Sequence, residues 1–174
     1  MPNIQVKKSF FKKIRRQKPL LAAMPERKSK MKDDPFGNLM DWGPVLDKLV
    51  ELSSNGDLSR CQPGLVRILR YRGNWRLREE ALKAAGDVQN PSEELVHQVI
   101  SILDDDNIYY DARILAGDAL LQLLNNAEDV SGGDLQNKTR NVVDKLKTTP
   151  QPPFFEEAIK RLHSKLVAPA MLEN

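Results

Sequence analysis

The sequence predicts an all-α fold, a short α-solenoid of about three helical hairpins plus a leading helix, with an extended basic N-terminal arm. No stretch alternates apolar and polar residues at a period of two, so no strand is predicted. Segments 78–85 and 113–120 share one pattern, Arg followed by Ala three residues on, Ala again and then an apolar residue, which recurs after 35 residues. An apolar helix candidate precedes each segment, at 65–70 and at 95–103. Each hairpin is too small to bury its own apolar face and must stack on a neighbour.

The charge is divided unevenly along the chain. Residues 1–32 hold eleven Lys or Arg and one Glu, a net charge of +10, whereas the remainder holds 16 Lys or Arg against 23 Asp or Glu, a net charge of −7. A basic arm is therefore joined to an acidic body. We divide the chain into an arm at 1–38, a repeat domain at 39–168 and a C-terminal tail at 169–174.

The composition also indicates a compartment. Cys61 is the one cysteine of the chain, so an internal disulfide cannot form and a cytoplasmic location is expected, free or at the periphery of a membrane or large complex. No run reaches about 18 apolar residues, so no segment is predicted to span a bilayer.

The arm contains a short basic amphipathic helix candidate that ends before Pro19. Four roles suit it: a solvated tail, a membrane-surface helix, contact with nucleic acid, or docking into a groove of another protein. We favour the groove slightly, because an electrostatic phosphate contact has no use for apolar side chains, although a membrane would use them too. The expected partner-binding residues of the arm are Phe10, Phe11, Ile14, Lys12, Lys13, Arg15 and Arg16.

Ordered helices are predicted from about Leu39. The leading helix has an apolar stripe at helical spacing that comprises Trp42, Val45, Leu46, Leu49, Val50 and Leu52. We interpret Trp42 as a core or capping residue. The helix should end at Asn55-Gly56, since glycine readily adopts positive φ. Pro63 suits the first turn of the next helix, whose residues 65–69 are apolar nearly all round and should be buried.

The remaining helices are predicted from the same kinds of signal. A tight turn at 70–74 leads into a helix at 75–88, Ser92 is the expected N-cap of the next helix, and loop 104–107 separates that helix from one that ends at Asn125 and Asn126. Ser131 to Asp134 is interpreted as a flexible loop. The inward residues of the third pair are expected to be Leu135, Val142, Val143 and Leu146, then Phe154, Phe155, Ala158, Ile159, Leu162 and Leu166.

These repeated segments resemble the HEAT repeat and the short bacterial HEAT-like repeat found in phycobilin lyases and many scaffold proteins. The likeness consists of a first helix, an acidic turn, and a second helix that opens with Arg and continues Ala-x-x-Ala-Leu, as at 104–120. It covers residues 60–126 well and 134–167 weakly. The resemblance implies that Arg113 pairs with one of Asp104 to Asp106, whereas the turn before Arg78 contains no acid. It also implies a protein-binding scaffold.

Motifs for chemistry are missing from the sequence. The Asp104 to Asp106 run does not have the ligand spacing of a calcium loop, and His97 and His163 lack partners at metal-ligand spacing. No local motif supplies a base to Cys61. We therefore predict no catalytic residue, no metal site, no cofactor and no enzymatic activity.

An arginine-rich turn is the second candidate binding site. Five arginines fall between Arg67 and Arg78, with Tyr71 and Trp75 among them and no acid. Guanidinium groups bind carboxylates and phosphates in a bidentate manner, so the turn suits an acidic protein or a polynucleotide. The alternative is that several of them pair with Asp and Glu of neighbouring helices. The residues expected to bind a partner are Arg70, Arg72, Trp75 and Arg76.

Three functions follow from these features. The first is a non-enzymatic helical-repeat scaffold, adaptor or accessory subunit that binds a protein through the array and is anchored by the basic arm. The second is a nucleic-acid or ribonucleoprotein component that uses the arm and the arginine-rich turn as one positive surface. The third is a peripheral adaptor at anionic membrane headgroups.

Overall fold

A computed structural model describes residues 34–127 and 132–167, which fold into helices without a strand in either range. The all-α prediction is confirmed. The arm residues 1–33, and with them Phe10, Phe11, Ile14 and the cations between Lys12 and Arg16, lie outside the described residues. The elements are α1 (Trp42–Ser54), a 3-10 turn (Asp57–Arg60), α2 (Gln62–Arg70), α3 (Trp75–Ala85), α4 (Glu93–Asp104), α5 (Tyr110–Asn125), α6 (Gly132–Thr148) and α7 (Pro153–Val167).

Local sequence signals account for the helix ends. Gly56 follows α1 with a φ of 72°, the left-handed conformation that glycine adopts without strain. Pro63 lies in the first turn of α2, where a missing amide donor costs nothing. Asn74 caps α3 by accepting hydrogen bonds from the amides of Arg76 and Leu77. The predicted N-cap of α4 is present at Ser92.

The helices pack in two rows. α3 contacts α1 and α5, and α5 contacts α7, while α4 contacts α2 and α6; the pairs α2–α3, α4–α5 and α6–α7 are hairpins. Helices within a row run in the same direction, because equivalent ends meet. The Ser53 hydroxyl donates to Asp87 at the ends of α1 and α3, and the Lys145 ammonium donates to Asp104 at the ends of α6 and α4.

Small residues allow the row of α3, α5 and α7 to pack closely. Ala81 and Ala116, which occupy the same register of the 35-residue pattern, are both fully buried. A Cβ added to Gly117 would lie 3.3 Å from the Leu162 side chain of α7. Alanine and glycine at these positions let neighbouring backbones approach, so that one core runs through all the helices.

Three predicted inward residues point to solvent instead. Trp42, Val50 and Phe154 are 48, 62 and 54 % exposed. Trp42 and Val50 belong to α1, and the helices that the structure describes cover that helix on its α3 side. Phe154 precedes Phe155, which is fully buried; consecutive residues of a helix point about 100° apart, and α7 is covered by α5 and α6 on the side of Phe155.

The predicted loop at Ser131 to Asp134 is also wrong over its last three residues, because α6 already begins at Gly132. An acidic residue in the first turn compensates for the poor helix propensity of two glycines. The Asp134 carboxylate lies near the positive end of the helix dipole and 2.7 Å from the Lys138 ammonium one turn later.

Candidate functional site

One edge of the protein combines exposed aromatic residues with exposed charges of both signs. We call it the turn edge; it comprises the hairpin turns 71–74, 105–109 and 149–152 with the first residues of the helices that follow. An aromatic residue stands at or next to the start of every helix in the α1, α3, α5 and α7 row. These residues are Trp42, Trp75, Tyr109 with Tyr110, and Phe154.

Trp75 and Tyr109 form the centre of the turn edge. Their rings lie 6.3 Å apart between centroids and nearly perpendicular, at 88°, and the Tyr109 hydroxyl donates a 3.2 Å hydrogen bond to the Trp75 carbonyl oxygen. Burial, followed by the nearby Glu79 carboxylate, raises the pKa of Tyr109 to about 12. The phenol therefore remains a hydrogen-bond donor at neutral pH. Trp75 itself is 58 % exposed and presents a large apolar surface beside the Tyr109 ring.

A second aromatic contact continues this surface into the last hairpin. Tyr110 stands edge-on to Phe154 at 5.4 Å between centroids and contacts the buried Phe155 at 5.0 Å. Because Tyr110 lies half-buried between two repeats, it ties the exposed Phe154 to the core. The aromatic side chains thus link three successive helix starts.

Buried arginines fix the turns beneath these rings. Arg78 is 8 % exposed and donates to the carbonyl oxygens of Leu69 at 3.2 Å and Tyr71 at 2.9 Å, which end α2. Burial lowers the pKa of Arg78 from its ordinary value. Such bonds satisfy carbonyl groups that have no partner within the helix.

Arg113 has the same role one repeat later. It is 1 % exposed, donates from Nε to the Leu103 carbonyl oxygen at 2.9 Å, and lies 4.6 Å above the Phe155 ring. Its Nη2 is 3.0 Å from an Asp106 carboxylate oxygen without a well-directed hydrogen bond, so their attraction is mainly Coulombic. The predicted contact of Arg113 with the acidic turn is therefore present. Phe155 occupies the register position of these arginines in the third hairpin.

The five clustered arginines separate into distinct roles. Arg67 pairs with Asp34 and lowers the pKa of that carboxyl, and Arg70 pairs with Glu94 at 3.1 Å, so both fit the alternative of pairing within the body. Arg72 and Arg76 are exposed beside Trp75, and neither forms an ion pair with a residue of 34–127 or 132–167. Of the predicted turn residues, the structure therefore leaves Arg72, Trp75 and Arg76 open to a partner.

The next turn along the edge is acidic. Asp106 is 75 % exposed despite its contact with Arg113, and Asp111 is exposed in the first turn of α5. Two hydrogen bonds from Asn107, with a smaller contribution from the charge of Arg72, lower the pKa of Asp105. The electrostatic influence of Arg72 on Asp105 shows that the basic and acidic turns adjoin.

Within the described ranges, no group of three or more His, Cys, Asp or Glu residues could hold a metal ion. His97 lies 3.3 Å from the Lys138 ammonium, His163 lies 3.6 Å from Asp144, and Cys61 is buried. No helix among these residues is long and apolar enough to cross a membrane.

Sequence analysis missed Tyr109 and Tyr110 as site residues. An available signal was the recurrence of an aromatic residue at the start of every other helix, with intervals of 33, 35 and 44 residues. These residues are Trp42, Trp75, Tyr110 and Phe154. The 35-residue pattern was recognised instead from the Arg and Ala positions that segments 78–85 and 113–120 share. Comparison with known proteins adds no further guide, because no family model, curated protein or solved structure matches the chain.

Proposed function

We propose that the chain is a short HEAT-like α-solenoid that acts without catalysis, as a scaffold, adaptor or accessory subunit of a larger complex. The turn edge binds a protein partner, and the basic arm fastens the chain to that partner or to another anionic surface. One observation carries the proposal: Trp75 is exposed at the start of α3, packed against Tyr109, and Arg72 and Arg76, its near neighbours in the sequence, are exposed as well.

The solenoid is supported by the two rows of parallel helices and by bonds between repeats. The Asn126 side chain, at the end of α5, donates to the carbonyl oxygens of Gly86 and Val88 at the end of α3, at 3.0 and 3.1 Å. The Gln62 side chain, at the start of α2, accepts from the Ser92 amide at the start of α4. These bonds join residues 30 to 40 positions apart, close to the 35-residue period of the sequence.

Binding of a protein by this edge follows from the residue types that it exposes. Trp, Tyr and Arg contribute most of the binding energy at protein interfaces, where they sit in rigid, partly desolvated settings. The Tyr109 hydroxyl donates to the Trp75 backbone carbonyl oxygen, and the perpendicular Tyr109 ring packs against the indole. A side chain that is partly ordered before association loses less conformational entropy when a partner binds.

Affinity purification tests the proposal. The full chain, immobilised at its C-terminus, is exposed to extract of the cells that express it, alongside Trp75→Ala and Arg72→Glu/Arg76→Glu variants. We expect a protein that binds the parent chain directly, as a purified component, and is lost with either variant. The matched control is Arg140→Glu, which reverses another exposed arginine that has no ion pair with the described residues. A parent chain and Trp75→Ala variant that bind the same proteins equally would refute the proposal.

The net charge of +10 in residues 1–32 favours a second candidate, binding to nucleic acid. Deletion of residues 1–32 should then abolish binding to RNA or DNA, and the affinity should fall steeply with salt. For the third candidate, a peripheral membrane adaptor, the same deletion should abolish flotation with anionic liposomes. Nuclease treatment of the extract separates an RNA-bridged partner from a direct one.

A further inference from the structure

We infer that the turn edge recognises a charge-segregated peptide: carboxylates against the α2–α3 turn, an aromatic or aliphatic side chain on Trp75 and Tyr109, and cations against the α4–α5 turn. This inference rests on the proposed function and adds the chemistry of the partner. The observation behind it is that opposite charges occupy two neighbouring turns, which meet where the exposed Trp75 packs against the partly buried Tyr109.

The basic half consists of two guanidinium groups that the described part of the body does not neutralise. Arg72 lies in the turn after α2, and Arg76 lies in the first turn of α3, on either side of Trp75. Cations at a helix N-terminus oppose the helix dipole, and α3 has no acid in its first turn to offset them. A carboxylate of a partner would relieve this unfavourable arrangement.

The acidic half belongs to the next repeat. Asp106 and Asp111 expose their carboxylates, and Asp105 remains ionised because Asn107 hydrogen-bonds to it. Asp104 is already held by Lys145 at 2.7 Å. Asp105 and Asp111 are therefore available for Lys or Arg of a bound peptide, and Asp106 adds the exposed part of a carboxylate that also contacts Arg113.

An apolar seat separates the two halves. The Trp75 indole and the Tyr109 ring meet at right angles, and the indole keeps 58 % of its residue surface exposed beside the second ring. The half-buried Tyr71 of the preceding turn adds a further aromatic neighbour in the sequence. An apolar side chain on this seat would fix the position of the charged segments that flank it.

The same charges disfavour a polynucleotide at this edge. Axes of packed helices lie about 8–10 Å apart, and the Debye length is about 10 Å at 0.1 M salt. Phosphates bound at Arg72 and Arg76 would therefore be repelled by Asp106 and Asp111 one repeat away. The arm of this chain, with Glu26 as its one acid among residues 1–32, likewise cannot supply the carboxylates that the basic half requires.

The experiment is a selection of random 12-residue peptides displayed on phage against the full chain, followed by anisotropy with the selected peptides. We expect sequences in which acidic residues, an apolar residue and basic residues follow in a fixed order. Affinity should fall about tenfold or more in Arg72→Glu/Arg76→Glu and in Trp75→Ala, and by a smaller factor in Asp111→Lys. A synthetic peptide in which the acidic residues are replaced by basic ones should bind the parent chain weakly and the arginine-reversed variant more tightly.

Each outcome has a defined meaning. Peptides that depend on Trp75 but show no charge order, or that ignore the Arg72 and Arg76 reversal, overturn the inference and leave the proposed function standing. A selection without any Trp75-dependent peptide counts against both the inference and the proposed function. Competition of the selected peptides by a dT 12-mer would assign the edge to nucleic acid. Arg140→Glu is the charge control, circular dichroism checks folding, and the single Arg76→Glu variant replaces the double variant if the latter unfolds.

Discussion

Replacement of Arg113 by alanine tests how the turn edge is supported. Arg113 Nε donates to the Leu103 carbonyl oxygen at 2.9 Å, and its guanidinium lies 4.6 Å above Phe155 in a site that leaves 1 % of the residue exposed. A hydrogen bond from a charged donor contributes about 1.5–3 kcal/mol, and a desolvated cation–π contact contributes about 2 kcal/mol. The ion pair with Asp106 adds about 1 kcal/mol at most, because that carboxylate is 75 % exposed.

Removing these contacts also releases the desolvation cost of a buried cation, which offsets part of the loss. We therefore expect Arg113→Ala to lower the free energy of unfolding by about 3 kcal/mol. Arg113→Met fills most of the volume and keeps a contact with Phe155, but leaves the Leu103 carbonyl without its donor. It should cost about 1–2 kcal/mol.

Urea unfolding followed by circular dichroism at 222 nm measures both values. Fluorescence of Trp42 and Trp75 is the second probe, which checks that the array unfolds in one transition. The exposed Arg140→Ala serves as the control and should change stability by less than about 0.5 kcal/mol. A loss below about 1 kcal/mol for Arg113→Ala would show that the buried guanidinium is not a support of the α4–α5 turn.

Two further predictions concern other parts of the framework. Gly64→Ala should destabilise the chain by about 1–3 kcal/mol in the same urea assay, because the new Cβ would lie 2.7 Å from the buried Phe36 ring. Gly43→Ala is its control, since a Cβ added there would have nothing within 4 Å. Equal effects of the two substitutions would exclude the clash at Gly64. The raised pKa of Tyr109 stabilises the protonated phenol in the folded state, so this contribution is complete below pH 10 and is lost as the pH rises through about 12. Tyr109→Phe should flatten the decline of stability between pH 9 and pH 11.5, measured by urea unfolding. Parallel pH profiles for Tyr109→Phe and the parent would contradict the assignment.

The repeat pattern was predictable because it records backbone proximity. Only small residues fit where helices of one row meet, so Ala81 and Ala116 carry the same signal in the sequence and are both buried in the structure. The pairing of Arg113 with the acidic turn was likewise implied by the resemblance. These features depend on residues within one hairpin or in equivalent positions of two.

The exposed aromatics could not be assigned in this way. Trp42 and Phe154 match the helical apolar stripes as well as any buried residue, and only the position of neighbouring helices distinguishes them. Phe155 rather than Phe154 enters the core because it stacks beneath Arg113, a residue 42 positions away in the sequence.

The sequence by itself determined that the chain is helical, the N-cap at Ser92 and the small-residue register. The first two depend on contacts within a few turns of chain, and the third on residue sizes that recur with the repeat. The tertiary structure decided which charges remain available. Arg67, Arg70 and Arg78 are taken by Asp34, Glu94 and backbone carbonyl groups, whereas Arg72 and Arg76 stay exposed next to an acidic turn. Partners of a charged side chain lie on other helices, and their distances are set by the packing of the rows rather than by the order of residues.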